Sequence, residues 1–396
     1  MSTNMLTLAE LKALIASMYG STAIASKDPQ KLVNETAKVL NKIGLMVTIK
    51  GRYVDRLPEF DGPELPLGKT IEEYFMQLPK ILAEDRSGSE DGQPNDPSFL
   101  PASYSYSLPK KRIKQTRRYD EYEEACYNEA QFLDFIADIE QSINDATTVY
   151  KYGLKRELLG AGIALVESIV DGSNGQTAAD GTAIATYVAA TANTLEQGAY
   201  VINPSDSTQK GVVIAEKGQI AANTAWADAV AAGKICVFDL VEEVAKPTNT
   251  DTGEAFIKKV LDDVEIASEN SEGHSLNGAC IGAVDDLRLY TLQGVRSVMA
   301  VDVKAGAFHR DELDLGAEMR SLPDFGSYNG NTWAVLTDSR TFVLFLGYLA
   351  MRVRENADGD FINFVRHLRF TPFMSRSTYI KLYRVPTAAT AAEAGD

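Results

Sequence analysis

Apolar residues recur at helical spacing over the longest continuous stretch in the middle of the chain, residues 129–171. The pattern predicts a first helix with an apolar stripe from Phe132 to Ile143, and a second, longer helix that Asn144 and Asp145 cap. A helix over 146–171 would reach roughly 40 Å at 1.5 Å per residue. We therefore expect the second helix to form the backbone of the fold.

Shorter patterns of both kinds flank this region. Helical spacing predicts two short helices within 1–44, and further helices at 254–267 and around 285–293. Runs rich in β-branched and aromatic residues predict strands at 45–54, 110–118, 199–203, 211–215, 332–338, 341–354 and 376–385. The mixture predicts an α+β fold.

The stretch "GPELPLGKT" at 62–70 superficially resembles a phosphate-binding loop. Five residues instead of four separate its glycines, and two of the five are prolines, which have no N–H to offer a phosphate. Thr70 and Glu73 instead form a capping box, followed by apolar residues at helical spacing: Ile71, Tyr74, Phe75 and Leu78. This pattern predicts a tight turn into a short amphipathic helix.

Two segments are poor in aliphatic residues. Residues 85–109 are rich in Ser, Gly, Pro and Asp, which predicts a long exposed loop. Residues 387–396 form a tail of small residues that we expect to be disordered.

Composition is that of a folded protein, with 45% hydrophobic and 24% charged residues and a formal net charge of −16. This acidity argues against a protein that coats nucleic acid. Apolar runs are far shorter than the ~20 residues of a membrane span, and no secretory signal is visible. The three cysteines lie far apart, as expected for reduced thiols.

Three short motifs resemble sequences of catalytic or binding sites, but none has the residues or the setting that such a site requires. "HRDEL" at 309–313 lacks the Asn and the Gly-rich loop of a kinase. "NADGD" at 356–360 starts like a calcium loop, but Phe361 and His367 stand where that loop needs Gly and Glu, so a hairpin turn is favoured. "GAG" at 160–162 lies inside a predicted helix. We therefore expect no catalytic residues, no metal site and no cofactor.

One basic run stands out in this acidic chain. It comprises Lys110, Lys111, Arg112, Lys114, Arg117 and Arg118. Three interpretations stay open at this point: a solvated strand, a nucleic-acid patch with few interleaved aromatics, or a contact in which the cations meet an acidic neighbouring subunit.

Three segments carry a resemblance to a known family. They are "KIGLMV" (42–47), "PLGKTIEE" (66–73) and "DVKAGAFHRDELDLG" (302–316). In order and spacing they are similar to segments of the phi-twenty-nine-type major head proteins of small podophages. The layout of the whole chain resembles that of tailed-phage major capsid proteins with the Hong Kong 97-like fold.

The resemblance implies the following organisation. It comprises an N-terminal arm (1–44), an E-loop region (45–128), a P-domain with the spine helix (129–171), an A-domain (172–330, with 172–250 variable), closing strands (331–386) and the tail (387–396). In the motif it implies structural roles for Pro66, Gly68, Thr70, Glu72 and Glu73.

The resemblance also implies a function. It is a major capsid protein that self-assembles, through pentamers and hexamers, into an icosahedral or prolate head around the double-stranded DNA of a tailed phage. Implied partners are the portal and scaffolding or decoration proteins, and DNA bound without sequence specificity. Assembly is expected in the host cytoplasm, and no membrane is involved. The alternatives are an encapsulin-like nanocompartment and an unrecognised enzyme.

Overall fold

The structure is a computed structural model. It describes residues 53–65, 71–76, 99–104, 108–118, 129–170, 200–203, 205, 206, 209–215, 220, 225–269, 273–276, 281–299, 315–356 and 359–386. The two helices predicted in 1–44, the first eight residues of the strand predicted at 45–54 and the tail 387–396 lie outside the described residues.

Four helices are described. They are α1 (Glu129–Val170), α2 (Trp226–Ala231), α3 (Thr250–Ser268) and α4 (Val295–Val298), and a 3₁₀ turn covers Pro58–Phe60. The first strands are β1 (Asp61–Glu64), β2 (Ile71–Met76), β3 (Phe99–Tyr104), β4 (Lys111–Arg118), β5 (Tyr200–Ile202), β6 (Lys210–Val213) and β7 (Ile235–Val237). The remaining strands are β8 (Val241–Glu243), β9 (Leu287–Leu292), β10 (Glu318–Leu322), β11 (Thr332–Asp338), β12 (Phe342–Asn356), β13 (Phe361–Met374) and β14 (Ile380–Arg384).

The chain divides into two compact units. The first contains residues up to 70, 105–155 and 344–372, and the second contains 71–104, 156–343 and the residues from 373 onward. Helix α1 contributes to both units, since the boundary falls after Lys155.

The first unit is built on a four-stranded sheet in the order β1-β12-β13-β4. Buried Leu344, Leu368 and Phe370 pack together with Tyr150 and Leu154 of α1. A buried lysine on α1, Lys155, donates a hydrogen bond to the carbonyl oxygen of Leu57 and forms ion pairs with Asp55 and Asp61. These contacts hold the segment before β1 on the helix.

The second unit has a five-stranded sheet in the order β10-β9-β11-β14-β8. Helix α3 packs on it through aromatic contacts: the ring centroids of Phe256 and Trp333 lie 4.6 Å apart, and Phe256 meets the ring of Tyr383 edge-on at 5.3 Å. The side chain of Asn249 and that of Thr252 form a capping box that begins α3. The antiparallel sheet β5-β6-β7 packs on α2, and the ribbon β2-β3 completes the unit.

Several predicted elements are confirmed. Strand β4 lies within the predicted 110–118, β11 has the predicted bounds, and β12 and α3 extend the predictions by a few residues. Residues 356–360 connect β12 to β13, which are hydrogen-bonded neighbours, as the hairpin interpretation requires. Strand β13 itself is absent from the sequence predictions.

Four predictions are wrong. Residues 71–76, predicted to begin a helix, form β2, which pairs with β3; the predicted loop 85–109 therefore contains a strand at 99–104. Residues 287–292 form β9 instead of a helix. No helix break occurs before residue 146, since α1 is one helix of 42 residues.

Both residues predicted to cap a second helix make other contacts. The carboxylate of Asp145 accepts a hydrogen bond at 2.8 Å from Gln141, and the amide oxygen of Asn144 accepts one from Arg366 on β13. Both side chains are therefore occupied and cannot cap a new helix start.

Candidate interaction surface

The basic run forms the edge of the four-stranded sheet. Among the described strands, β4 pairs only with β13, in an antiparallel register that places Arg112 opposite His367, Lys114 opposite Val365, and Arg118 opposite Phe361. Directly opposed residues of an antiparallel pair project to the same face of a sheet. The register therefore identifies the residues of β13 that share a face with each cation.

One face of β4 is directed toward α1. Ile113 packs with the apolar cluster that contains Tyr150 and Leu154 of the helix. Because side chains alternate along a strand, Arg112, Lys114, Thr116 and Arg118 project from the other side, and all four are exposed.

Two contacts confirm the composition of that outer side. The hydroxyl of Thr116 donates a hydrogen bond of 2.7 Å to the side-chain oxygen of Asn363, and the ammonium of Lys114 lies 5.9 Å from the centroid of the Phe361 ring. We define the basic face by five of its residues: Arg112, Lys114, Arg118, Phe361 and Val365. Phe361 and Val365 are half-buried.

The other predicted interface residues lie elsewhere. Arg117 is half-buried and opposes Ile362, which is completely buried. Lys111 is exposed but belongs by alternation to the side of Ile113, and the ammonium of Lys110 lies 4.2 Å from the centroid of the Tyr348 ring. The structure thus brings three of the six cations together on the basic face.

The family-motif residues are described only in part. Pro66, Gly68 and Thr70 lie outside the described residues, while Glu72 is exposed on β2. Glu73 does not cap a helix. Its carboxylate accepts hydrogen bonds from the hydroxyl of Ser375 and, at 3.2 Å, from the backbone N–H of Arg376, which fastens the β2-β3 ribbon within the second unit.

The second unit also contains a cluster of titratable groups around a buried lysine, which the sequence did not reveal. The ammonium of Lys381, whose side chain is 1% exposed, lies 2.6 Å from a carboxylate oxygen of Asp239, 3.5 Å from one of Asp263 and 3.6 Å from one of Glu242. His274 lies 3.2 Å from the same oxygen of Asp239.

The environment shifts the pKa values of Asp239 and Asp263 in opposite directions. Burial alone would raise the pKa of Asp239, but hydrogen bonds from His274 and Lys381 and their charges outweigh it, so this pKa lies below its usual value. Burial raises the pKa of Asp263 despite the charge of Lys381 and a hydrogen bond of 2.6 Å from the Tyr383 hydroxyl.

The cluster stabilises the fold around a buried lysine, while the side chain of Asp239 is 50% exposed. Lys381 and Asp263 are enclosed, and the four elements they join are β14, α3, the segment before β8 and residues 273–276. Glu242 lies three residues from Asp239, but Asp263, His274 and Lys381 lie 24, 35 and 142 residues from it, so no local spacing could reveal the cluster.

Within the described part of the chain, no group of His, Cys, Asp and Glu side chains is arranged to hold a metal ion. No helix among the described residues is long and apolar enough to cross a lipid bilayer.

Comparison with known proteins gives one family. The model of the family described as "Phi29-like phage major capsid protein" matches residues 9–378. No curated protein sequence matches the chain.

Two solved structures similar to this chain come from phages. One is described as the capsid structure of Staphylococcus phage Andhra, with a TM-score of 0.52 and 11% identity, covering 86% of this chain and 86% of that chain. Another is described as the structure of head fiber and inner core protein gp22 of native bacteriophage P68, with a TM-score of 0.50 and 12% identity, covering 86% and 87%. At these identities the likeness shows the fold, the Hong Kong 97-like α+β fold that the sequence predicts.

Proposed function

The chain belongs to the Phi29-like phage major capsid protein family, and from this membership we propose how its described surface serves the shell. The family is a structural one, so the chain is a shell-forming capsid protein of the virion. This favours a phage shell over the encapsulin-like alternative, and leaves the enzyme alternative without support.

We propose that the shell is closed, built of pentamers and hexamers, and assembled in the host cytoplasm around the double-stranded DNA of a tailed phage. Portal and scaffolding or decoration proteins are the proposed partners. We also propose the domain division into N-arm (1–44), E-loop region (45–128), P-domain (129–171), A-domain (172–330) and closing strands (331–386).

The observation that carries the proposed subunit contact is the basic face. Arg112, Lys114 and Arg118 are exposed side by side and form no ion pair with any residue that the structure describes. The chain as a whole carries a net charge of −16, so a neighbouring copy presents acidic surface. Charge complementarity of this kind steers association and fixes the register of the contact.

The test is the triple variant R112E/K114E/R118E in the full chain, co-expressed with the other head proteins. We expect few or no shells by electron microscopy and sedimentation, while the circular dichroism and melting temperature of the unassembled chain stay close to wild type, because the three side chains are exposed. High salt should likewise slow assembly of the wild type.

A matched control carries the same change of charge at exposed arginines away from the basic face. R56E/R296E/R376E should form shells like the wild type. Normal shells from R112E/K114E/R118E would remove the subunit contact from the proposal. Normal but empty shells from that variant would point to DNA as the partner of the basic face.

A further inference from the structure

Helix α3 carries an exposed face that is rich in acidic residues, so its charge is opposite to that of the basic face. Its exposed acidic residues are Asp251, Glu254, Asp262, Glu265 and Glu269, the last at the C-cap. None of these five forms an ion pair with a residue in the described ranges. Between them lie two large apolar side chains with unusual exposure, Leu261 at 40% and Ile266 at 42%.

The position of these acids is unfavourable for the helix itself. The C-terminal end of a helix carries a partial negative charge, and each acid there costs about 0.3–1 kcal/mol at low ionic strength. The last turn of α3 has no basic residue, and Asp262, Glu265 and Glu269 lie in its last two turns. Asp262 lies before the last turn and has nearby cations in Lys258, one turn earlier, and in Lys259, whose pKa its charge raises. Local helix stability therefore does not explain Glu265 and Glu269, whereas an external cation would. We define the acidic face as Leu261, Asp262, Glu265, Ile266 and Glu269.

The two faces are complementary in more than charge. Each combines three like charges with two partly exposed apolar side chains, Phe361 and Val365 on the basic face and Leu261 and Ile266 on the acidic one. Specific interfaces commonly have an apolar centre and a charged rim. Neither set of charges forms an ion pair within the described part of its own chain. Exposed Lys258 lies one turn before Asp262, but the acids around it outnumber it, so each face keeps a net charge that suits a partner of the opposite sign.

We propose that the basic face of one copy docks on the acidic face of α3 in the next copy. This inference rests on the proposed subunit contact and names its partner surface. A contact between two different patches leaves one free patch on each end of a pair, so it continues from copy to copy. Such propagation is what a shell subunit needs.

The test exchanges the charges. We expect each of two variants, R112E/K114E/R118E and D262K/E265K/E269K, to reduce the yield of shells at least about tenfold. The variant that combines all six substitutions is expected to restore shells. Lysines at the end of α3 also suit the helix dipole, so the unassembled D262K/E265K/E269K chain should melt at or above the wild-type temperature. A loss of shells therefore cannot be a loss of folding.

Two further variants bear on the same contact. L261S/I266S removes the exposed apolar pair without changing any charge and should also lower the yield of shells. E64K/D228K/D285K reverses three exposed acids outside α3 and should assemble normally.

The outcomes separate this inference from the proposed function. If R112E/K114E/R118E fails to assemble while D262K/E265K/E269K assembles normally, the subunit contact stands and α3 is not its partner. If both fail and the combined variant also fails, the pairing of these two faces is overturned. If R112E/K114E/R118E assembles normally, the proposed contact and this inference are both overturned.

Discussion

Arg366 on β13 and Glu140 on α1 form an ion pair in which both side chains are almost completely buried, with exposed fractions of 8% and 3%. The guanidinium also donates hydrogen bonds to the side-chain oxygens of Asn144 and, at 3.3 Å, Thr147. One carboxylate oxygen of Glu140 has no hydrogen-bond partner among the described residues. Arg366 therefore compensates nearly all of a buried charge and fixes the sheet of the first unit on its helix.

Replacing Arg366 by methionine should destabilise the unassembled chain by about 3–5 kcal/mol, because it leaves Glu140 buried without a counter-charge. Chemical unfolding in urea measures this loss. The double variant E140Q/R366M should recover a large part of it, since the uncompensated charge is then gone. A double variant no more stable than R366M would show that the charge is not the cause.

Two glycines of α1 should respond in opposite directions to alanine. A Cβ atom on Gly153 meets no atom within 4 Å, so G153A should stabilise the chain by about 0.5–1 kcal/mol through helix propensity. A Cβ atom on Gly160 would overlap the carbonyl oxygen of Phe325 and crowd Tyr328. G160A should therefore destabilise the chain by about 1–3 kcal/mol.

The pair is its own control, because both substitutions add one methyl group to the same helix. Thermal unfolding of the two variants measures the difference. Equal shifts of the melting temperature would contradict the close approach at Gly160. That close approach also accounts for the first glycine of "GAG" at 160–162.

Lys155 should hold the segment before β1 in place. Its ammonium is completely buried and compensates Asp55 and Asp61, the latter at 2.6 Å. K155M should destabilise the chain by about 1.5–3 kcal/mol, the range for hydrogen bonds to charged groups. Hydrogen exchange of the amide of Leu57, which donates at 2.9 Å to Asp55, should accelerate in K155M. K151M is the control, since Lys151 forms a more exposed pair with Asp61 and should cost under about 1 kcal/mol.

Acid should weaken the second unit through Asp239. Its pKa is lower in the folded chain than the unfolded value of about 3.9. A lowered pKa contributes stability that is fully present above the unfolded pKa and is lost as the pH falls below it. The melting temperature of the wild type should therefore fall more steeply between pH 5 and pH 2, a range set by that reference value of about 3.9, than that of D239N.

Asp263 changes the stability with pH in the direction opposite to Asp239. Burial raises its pKa, so the fold favours its protonated form, and this contribution is lost as the pH rises through the raised pKa. D263N should remove this loss of stability at rising pH. It should leave unchanged the fall of the melting temperature at low pH that is due to Asp239. D285N, at an exposed aspartate outside the cluster, is the control. Identical pH profiles for D239N and the wild type would exclude Asp239 as the acid-sensitive group.

The sequence by itself determined the elements whose signal fits in a short window. The alternation of β4, the β-branched run of β11 and the long apolar stripe of α1 each lie within the segment that forms the element. The motifs that resemble the family are also local properties of the residues.

The errors fall where a distant segment decided the outcome. In 71–76, Ile71, Tyr74 and Phe75 match helical spacing, but the pairing with β3 selects the strand and leaves Tyr74 exposed on the other side. The helix predicted around 285–293 was wrong in the same way, because β9 gains hydrogen bonds from β10 and β11 on its two sides.

The same rule governs the candidate surface. The sequence located six cations in one run, and alternation along the strand puts Arg112, Lys114 and Arg118 on one side and Arg117 on the other. The pairing with β13, a strand some 250 residues further along the chain, decided which of the two sides is buried. Asn144 similarly binds Arg366, which lies 222 residues away, instead of capping a helix. Local periodicity can fix the direction in which side chains alternate, but only tertiary pairing supplies the partner that makes one face buried and the other open.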